Sequence, residues 1–325
     1  MQRRHLLFAT IGLAGAAGAW AMNEPRLVWR ERALLGLGTS LSLRAAHVDA
    51  GQAERALDAA AAAIRRVESA MSLYRADAEL VRLNREGFLD HPSAELLEVL
   101  ETARGVSRRS RGRFDVTVQP LWALYDAARR EDRLPTPGEI QAARARVGWR
   151  HLKVSGSRIA LTRPGMAITC NGIAQGYAAD LARGALRSHG VEHALINAGE
   201  FSSLGSNPQG RDWTLGVEDP RDEHRLVAAL RGDGRAVATS ADRRSAFTPD
   251  LRHHHIFDPA SGDSPPALSS VTVLAPSAML ADALTKVMFV AGPQEIPALA
   301  KAWQVGVLWV DKAGRWQATP DVPVV

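Results

Sequence analysis

Apolar residues recur along this chain with two different periods, and the change of period divides it. From Ala53 to Met71 the apolar positions Leu57, Ile64, Val67 and Met71 return at helical intervals, with Arg65, Arg66 and Glu68 off that face. This predicts a long helix packed along one side. Ser93 caps a second helix that carries Leu96, Leu97, Leu100 and Ala103 on one stripe. Thr136-Pro137-Gly138-Glu139 reads as a capping box with proline at the first helical position, and Gly148 as the end of that third helix. Beyond it the pattern shortens. His151 to Val154 and Arg158 to Thr162 flank Ser155-Gly156-Ser157, a hairpin signal. A helix beginning near Ile173 is followed by short strands at His193 to Asn197, Trp213 to Val217, Ala236 to Ser240, His253 to Phe257 and Ser270 to Leu274. One more helix covers Ala278 to Val290, and a C-terminal hairpin crosses Asp311 to Gly314. Near the start, Ala33 to Arg44 reads as a strand with a glycine irregularity. Helices and strands in runs, without regular alternation, predict an α+β fold rather than a doubly wound sheet. No repeat or linker divides residues 22–325, which are read as one domain.

Composition narrows the class. With 325 residues and 46% hydrophobic content the chain can bury a sizeable core without staples. The net charge of +5 is scattered, as at Arg65-Arg66, Arg108-Arg109 and Arg243-Arg244, with no basic block and no interleaved aromatics. That argues against nucleic acid as partner. A single cysteine, Cys170, excludes an intramolecular disulfide and a multi-cysteine metal site. Residues 1–21 read as a targeting segment: Arg3-Arg4 precede an apolar run from Leu6 to Trp20 that ends in Ala19-Trp20-Ala21, a small-x-small cleavage site. The Arg-Arg-His-Leu-Leu opening is similar to a twin-arginine signal, so a periplasmic location is expected, with membrane contact only through an uncleaved signal or a partner.

Three segments carry chemistry. Thr169-Cys-Asn-Gly-Ile-Ala-Gln-Gly-Tyr-Ala-Ala-Asp180 is a glycine-punctuated turn entering a helix, where unpaired N–H groups and the positive end of the dipole favour an anion. Gly172 and Gly176 are read as letting the backbone approach a phosphate. It lacks the Gly-Lys-Ser/Thr ending of a nucleotide P-loop and the spacing of a dinucleotide fingerprint. His253-His254-His255 stands before Asp258-Pro259; if it is a strand, His253 and His255 share a face and His254 takes the other. In an apolar helix, Asp282, Thr285 and Lys286 lie three and four positions apart and so share a face, with oxygen ligands suited to Mg²⁺ or, alternatively, an ordinary i,i+4 ion pair.

Read in order, these segments resemble the ApbE family of FAD:protein FMN transferases, in its exported NosX-like form, over most of the chain. Leu37-Gly38-Thr39 is similar to the family's opening strand, and Met71-Ser-Leu-Tyr74-Arg75 with Leu83-Asn84 to the segment after its first helix. Gly112-Arg113-Phe114-Asp115-Val116-Thr117 matches its Gly-x-Phe-Asp-x-Thr motif. Asn171 to Tyr177 with Asp180, Asn197-Ala-Gly-Glu200, Trp213 with Asp219-Pro220, Ala238-Thr-Ser240, His255 to Pro259 and Ala281-Asp282-Ala-Leu284 follow in family order.

The resemblance implies one catalytic unit of mixed, largely antiparallel sheets packed with helices. It implies Mg²⁺-dependent transfer of FMN from FAD to a threonine hydroxyl of an acceptor protein carrying an FMN-binding domain, with release of AMP. Alternatives are an FAD pyrophosphatase using water, or a non-catalytic FAD-binding accessory protein of a periplasmic reductase. On this analogy His255 is the base or orienting group and Asp282 the second catalytic residue. Leu37, Tyr74, Arg113, Phe114, Asp115, Thr169, Gln175 and His254 would hold FAD, and Gly172, Asp282, Thr285 and Lys286 the metal. Three departures stand out. Thr169-Cys170-Asn171-Gly172 replaces a common Asp-Leu-Gly-Gly, and Gln175 a common lysine. Ala241 replaces the glycine of Thr-Ser-Gly, and Lys286 stands where the family has a metal-binding threonine.

Overall fold

The computed structural model of the protein describes residues 26–325, so the targeting segment read at residues 1–21 lies outside the described residues. The described residues open with a hairpin, β1 (Val28–Gly36) and β2 (Thr39–His47), turning at Leu37-Gly38, both at positive φ. The single strand expected over Ala33 to Arg44 is thus the tip of a hairpin, and its glycine irregularity is the turn. Helix α1 (Ala50–Met71) starts where Asp49 accepts N–H bonds from Gly51 and Gln52, and it buries the expected stripe of Leu57, Ile64, Val67 and Met71. Next come α2 (Glu79–Glu86), β3 (Phe88–Asp90) and α3 (Ala94–Arg109) capped by Ser93, which pack into the main core, then α4 (Gln119–Arg130) and α5 (Pro137–Arg144) with its capping box, which form a smaller cluster of their own. α5 ends before Gly148, which instead opens a short 3₁₀ turn at φ 155°. β4 (Leu152–Ser155) and β5 (Arg158–Leu161) form the expected hairpin, and β5 pairs with β3.

The second half builds the main sheet. α6 (Ala174–Ser188) leads into β6 (His193–Asn197) and β7 (Phe201–Leu204), then the long hairpin β8 (Thr214–Asp219) and β9 (Asp222–Arg231). β10 (Ala236–Ala241), β11 (Leu268–Ala275), α7 (Ala278–Ala291), α8 (Ile296–Trp303), β12 (Gly306–Asp311) and β13 (Trp316–Ala318) complete it. The eight strands run β1-β2-β6-β7-β10-β11-β12-β13, every pairing antiparallel. The α+β expectation holds, and the sheet is antiparallel throughout.

Both faces of the centre of this sheet are covered, which explains why β11 is buried at all eight positions. Val271 and Val273 face the main core with α1, α6 and α7. Leu274 points the other way, into a smaller core with Leu215, Val217 and Leu230 of the β8–β9 hairpin. The strand is not wholly apolar: Ser269, Ser270 and Thr272 are buried within it.

Helices α6 and α7 are tied together near their N-terminal ends. The Asp180 carboxylate accepts the Ala278 and Met279 N–H groups at 2.8 and 2.9 Å, capping the start of α7. In return Asp282 on α7 accepts the Gly176 N–H at 3.2 Å, in the first turn of α6. Each carboxylate sits where the partner helix presents its positive end. Among the described residues, no helix is long and apolar enough to cross a membrane.

Candidate functional site

Where the start of α6 and the 3₁₀ turn Val116–Val118 meet the ends of β7 and β10, the surface opens into a cavity of about 430 Å³, a size typical of small-molecule sites. The sequence-predicted residues Tyr74, Arg113, Phe114, Asp115, Thr169, Gly172, Gln175, His255 and Lys286 all line it. They come from five separate stretches of chain. Leu37, Asp282 and Thr285 do not line it but lie just behind, and His254 is elsewhere.

The turn Thr169 to Ile173 forms one wall. The Thr169 N–H donates to the Val116 carbonyl at 2.8 Å, and its hydroxyl accepts the Asn171 N–H at 3.2 Å. The glycines do different work from that expected. A Cβ at Gly176 would stand 2.1 Å from the Ala278 carbonyl oxygen, so this glycine permits contact between α6 and α7, not approach to a phosphate. A Cβ at Gly172 would stand 3.1 Å from Lys286 Cε and 3.6 Å from Phe114 Cε2, so this glycine makes room for the lysine. Gln175 donates its amide N–H to the Leu37 carbonyl at 3.3 Å, and Leu37 in turn donates its N–H to Glu68 at 3.0 Å. Gln175 and Leu37 thus lock the β1–β2 turn to the start of α6. Cys170, immediately behind, is fully buried and burial pushes its thiol up to about 12, so it is inert.

Adjoining the turn at Thr169 to Ile173 is Asp115, whose carboxylate accepts both N–H and O–H from Thr117, at 2.8 and 2.7 Å, and the Trp149 N–H at 2.9 Å. Burial raises its pKa against those three bonds. Its oxygens are committed to holding two loops together, so it shapes the wall. Phe114 stands buried beside it. Tyr74 is 78% exposed at the rim and offers a bare ring face, and Arg113 is held at the edge by Glu295, 2.7 and 2.8 Å from the two carboxylate oxygens.

The three consecutive histidines diverge. No strand forms at His253 to Phe257; there is only an isolated bridge between Ala246 and His254. The turn geometry sends His253 to Asp263 at 2.7 Å, beside Tyr125. His254 is fully buried edge-on to Phe289, its backbone bonded on both sides to the Ser264 hydroxyl, and so does not reach the cavity, contrary to its expected place in the FAD site. His255 alone faces the cavity, with its Nδ1 buried and unpartnered. Burial first, then the Lys286 charge, lowers the His255 pKa to about 4.

Burial also drives His254 down to about 3, with Lys312 and His255 adding to the effect and Asp242 opposing it. The unfolded chain therefore binds a proton at this position more tightly than the folded one. Its contribution to stability is lost as pH falls below about 6.5 and continues to fall toward about 3. We expect the stability advantage of wild type over His254→Phe, measured by urea unfolding, to shrink by about 2 kcal/mol between pH 7 and pH 5. An unchanged difference would show that His254 is not buried neutral.

The metal set Gly172, Asp282, Thr285 and Lys286 does not fit a divalent ion. One Asp282 oxygen is paired with the Lys286 ammonium and the other with the Gly176 N–H. The Thr285 hydroxyl donates to the Asp282 carbonyl at 2.7 Å and lies 2.7 Å from Ser240 Oγ, fully buried. Lysine offers no lone pair while protonated. Among the described residues, no group of three or more His, Cys, Asp or Glu is placed to hold a metal.

Sequence reading passes over several wall residues. Glu200, which closes Asn197-Ala-Gly-Glu200 in the sequence and is given no role there, is buried in the wall, where burial and then the neighbouring Asp282 raise its pKa well above the carboxylate range. Gly199 beside it adopts φ 97°, where a Cβ would come within 2.6 Å of Gln175 Cδ. Trp122 and Gln119 come from α4, and Arg244 from a 3₁₀ turn after β10. The result is a cavity with three cations, Arg113, Arg244 and Lys286, and two carboxyls, Asp115 and Glu200, both biased by burial toward the neutral form. It is built for an anionic ligand with an aromatic part.

Similarity to known proteins agrees with that chemistry. The sequence profile described as the ApbE family matches residues 37–309. An FAD:protein FMN transferase of Vibrio cholerae serotype O1 is 34% identical over 255 residues, covering 76% of each chain. One from Salmonella typhimurium is 30% identical over 257 residues, covering 75% of this chain and 73% of its own. Among solved structures, the flavin transferase ApbE from Vibrio cholerae superposes with a TM-score of 0.79 at 29% identity, covering 90% of this chain and 97% of its own. The ApbE protein from Thermotoga maritima gives 0.81 at 26% identity, with the same coverage of each chain.

Proposed function

The chain belongs to the ApbE family, and from that premise we propose that it is an FAD:protein FMN transferase. The observation that carries the reading is the convergence, in one cavity, of His255, Lys286 and the Asn171–Gly172 turn under a rim of Arg113, Arg244 and the exposed Tyr74. A flavin nucleotide has an aromatic ring system and a doubly charged pyrophosphate, and this cavity offers partners for both.

In the reaction proposed, a threonine hydroxyl oxygen of the acceptor attacks the FMN phosphorus. The bond from that phosphorus to the oxygen bridging to AMP breaks, AMP leaves with the bond electrons, and a phosphate ester to the acceptor forms. The hydroxyl proton passes to His255, whose ring is neutral because burial and Lys286 keep it so. Arriving pyrophosphate charge offsets the Lys286 contribution and raises its basicity as the nucleotide binds. Lys286 and the rim arginines bind the phosphates, and the fixed turn at Thr169 to Ile173 orients them. The Mg²⁺ that the family resemblance implies finds no open ligand set here, because both Asp282 oxygens are already paired. The acceptor is proposed to be a protein with an FMN-binding domain, and the Arg3-Arg4 signal supports encounter in the periplasm.

The test is direct. The purified protein, incubated with FAD and an FMN-binding acceptor domain, is expected to yield a covalently fluorescent acceptor band in a denaturing gel, with one AMP released per flavin attached. Free FMN and AMP with an unlabelled acceptor would instead mark a pyrophosphatase and overturn the transferase reading.

A further inference from the structure

Lys286 reaches the centre of the site from α7. Its aliphatic stem passes over Gly172, and its ammonium ends on Asp282 Oδ1 and 3.2 Å from the Asp282 carbonyl oxygen. An ammonium has three N–H donors, so one remains, and Lys286 is part of the cavity wall. The space between the Gly172 turn and Asp282 is therefore filled by a cation that belongs to the chain. The remaining Asp282 oxygen is taken by the Gly176 N–H, and the Thr285 hydroxyl is buried and committed to the Asp282 carbonyl and Ser240 Oγ. To enter here, a divalent ion would have to shed much of its water and displace or sit beside an ammonium already paired with the only carboxylate of that set. Both steps are unfavourable.

Resting on the transferase reading, we propose that Lys286 is the resident cation of this site. Its free N–H binds a pyrophosphate oxygen of the nucleotide, and FAD binds without a divalent ion between Gly172 and Asp282. A tethered ammonium carries one charge rather than two, and Arg113 and Arg244 on the same cavity supply the rest. The cost of recruiting and dehydrating a metal is avoided, and the affinity for FAD is freed from metal concentration.

The experiment measures FAD affinity by flavin fluorescence, in EDTA and in millimolar Mg²⁺, for wild type, Lys286→Thr and Lys286→Arg. Wild type and Lys286→Arg are expected to change by less than about twofold between the two conditions. Lys286→Thr is expected to bind at least about tenfold more weakly in EDTA and to regain affinity with Mg²⁺. Mn²⁺ titration followed by electron paramagnetic resonance supplies a second readout: no stoichiometric uptake by wild type, with or without FAD. Stoichiometric Mn²⁺ binding by wild type, or a wild-type FAD affinity that collapses in EDTA, would overturn the proposal while leaving the transferase reading standing. Failure to bind FAD under either condition would remove both.

Discussion

His255→Ala is expected to lower the rate of flavin transfer about 10²- to 10⁴-fold, the range removed with a general base, while changing FAD affinity far less. Among the described residues, His255 is the one titratable side chain lining the cavity with a buried, unpartnered nitrogen. A buried polar atom left unpaired in an otherwise satisfied site points to a proton or ligand it receives during function. Its depressed pKa, about 4 in the free protein, sets the sign of the pH dependence. The neutral ring is the active form, so kcat/KM holds its value as pH falls past the ordinary histidine range and declines only on approaching about 4. The acid limb of kcat, which reports the nucleotide complex, lies higher because the bound pyrophosphate favours the imidazolium. In His255→Ala this limb disappears. A variant retaining more than about a tenth of wild-type turnover, or keeping the same acid limb, would show that the proton goes elsewhere. Thermal unfolding within a few degrees of wild type distinguishes lost chemistry from lost structure.

How much of this is legible in the sequence depends on whether a signal is local. Caps and periodic stripes are local: Ser93, the Thr136–Glu139 capping box and the Leu57–Met71 stripe sit where their chemistry places them. The order of motifs likewise gathers most of the cavity wall. Signals that depend on the partner mislead. His253 to Phe257 is short and bounded by Asp258-Pro259 like a strand, but with only one bridge to pair with it the segment turns, and the three histidines scatter to three environments. Gly176 reads as a phosphate-approach glycine in a helix-start turn, and only the packing of α7 reveals what it approaches. Asp282 and Lys286 do share one face, yet of the two readings open to them the structure realises the ion pair, sunk into the core rather than exposed on the surface. Glu200 closes the Asn197-Ala-Gly-Glu200 motif, but nothing local gives it a role, and only the folded turn at Gly199 shows its place in the wall.

Gly176→Ala is expected to destabilise the fold by about 3 kcal/mol, the upper part of the range for overpacking a rigid contact, and to lower the midpoint of thermal unfolding by roughly 5–10 °C. The added methyl would stand 2.1 Å from the Ala278 carbonyl oxygen, 2.5 Å from its carbon and 2.7 Å from the Met279 nitrogen, all backbone, so no side-chain rotation relieves it. The helices must separate. That motion breaks the reciprocal caps, since the Asp180 bonds to Ala278 and Met279 and the Asp282 bond to Gly176 span the same contact. Function follows by geometry: Lys286 rides on α7 and the Asn171–Gly172 turn on the start of α6, so a shift of about 1 Å between them misplaces the phosphate-binding groups relative to His255 and costs about 10²-fold in transfer. Gly184 lies on the same helix, and a Cβ added there would meet nothing within 4 Å. Gly184→Ala therefore isolates helix propensity from packing and is expected to stabilise the protein by about 0.4–1 kcal/mol. Opposite signs for the two substitutions, read by thermal unfolding and by the rate of acceptor labelling, would locate the effect at the α6–α7 contact; a Gly176→Ala protein as stable and active as wild type would mean that this contact does not position the site.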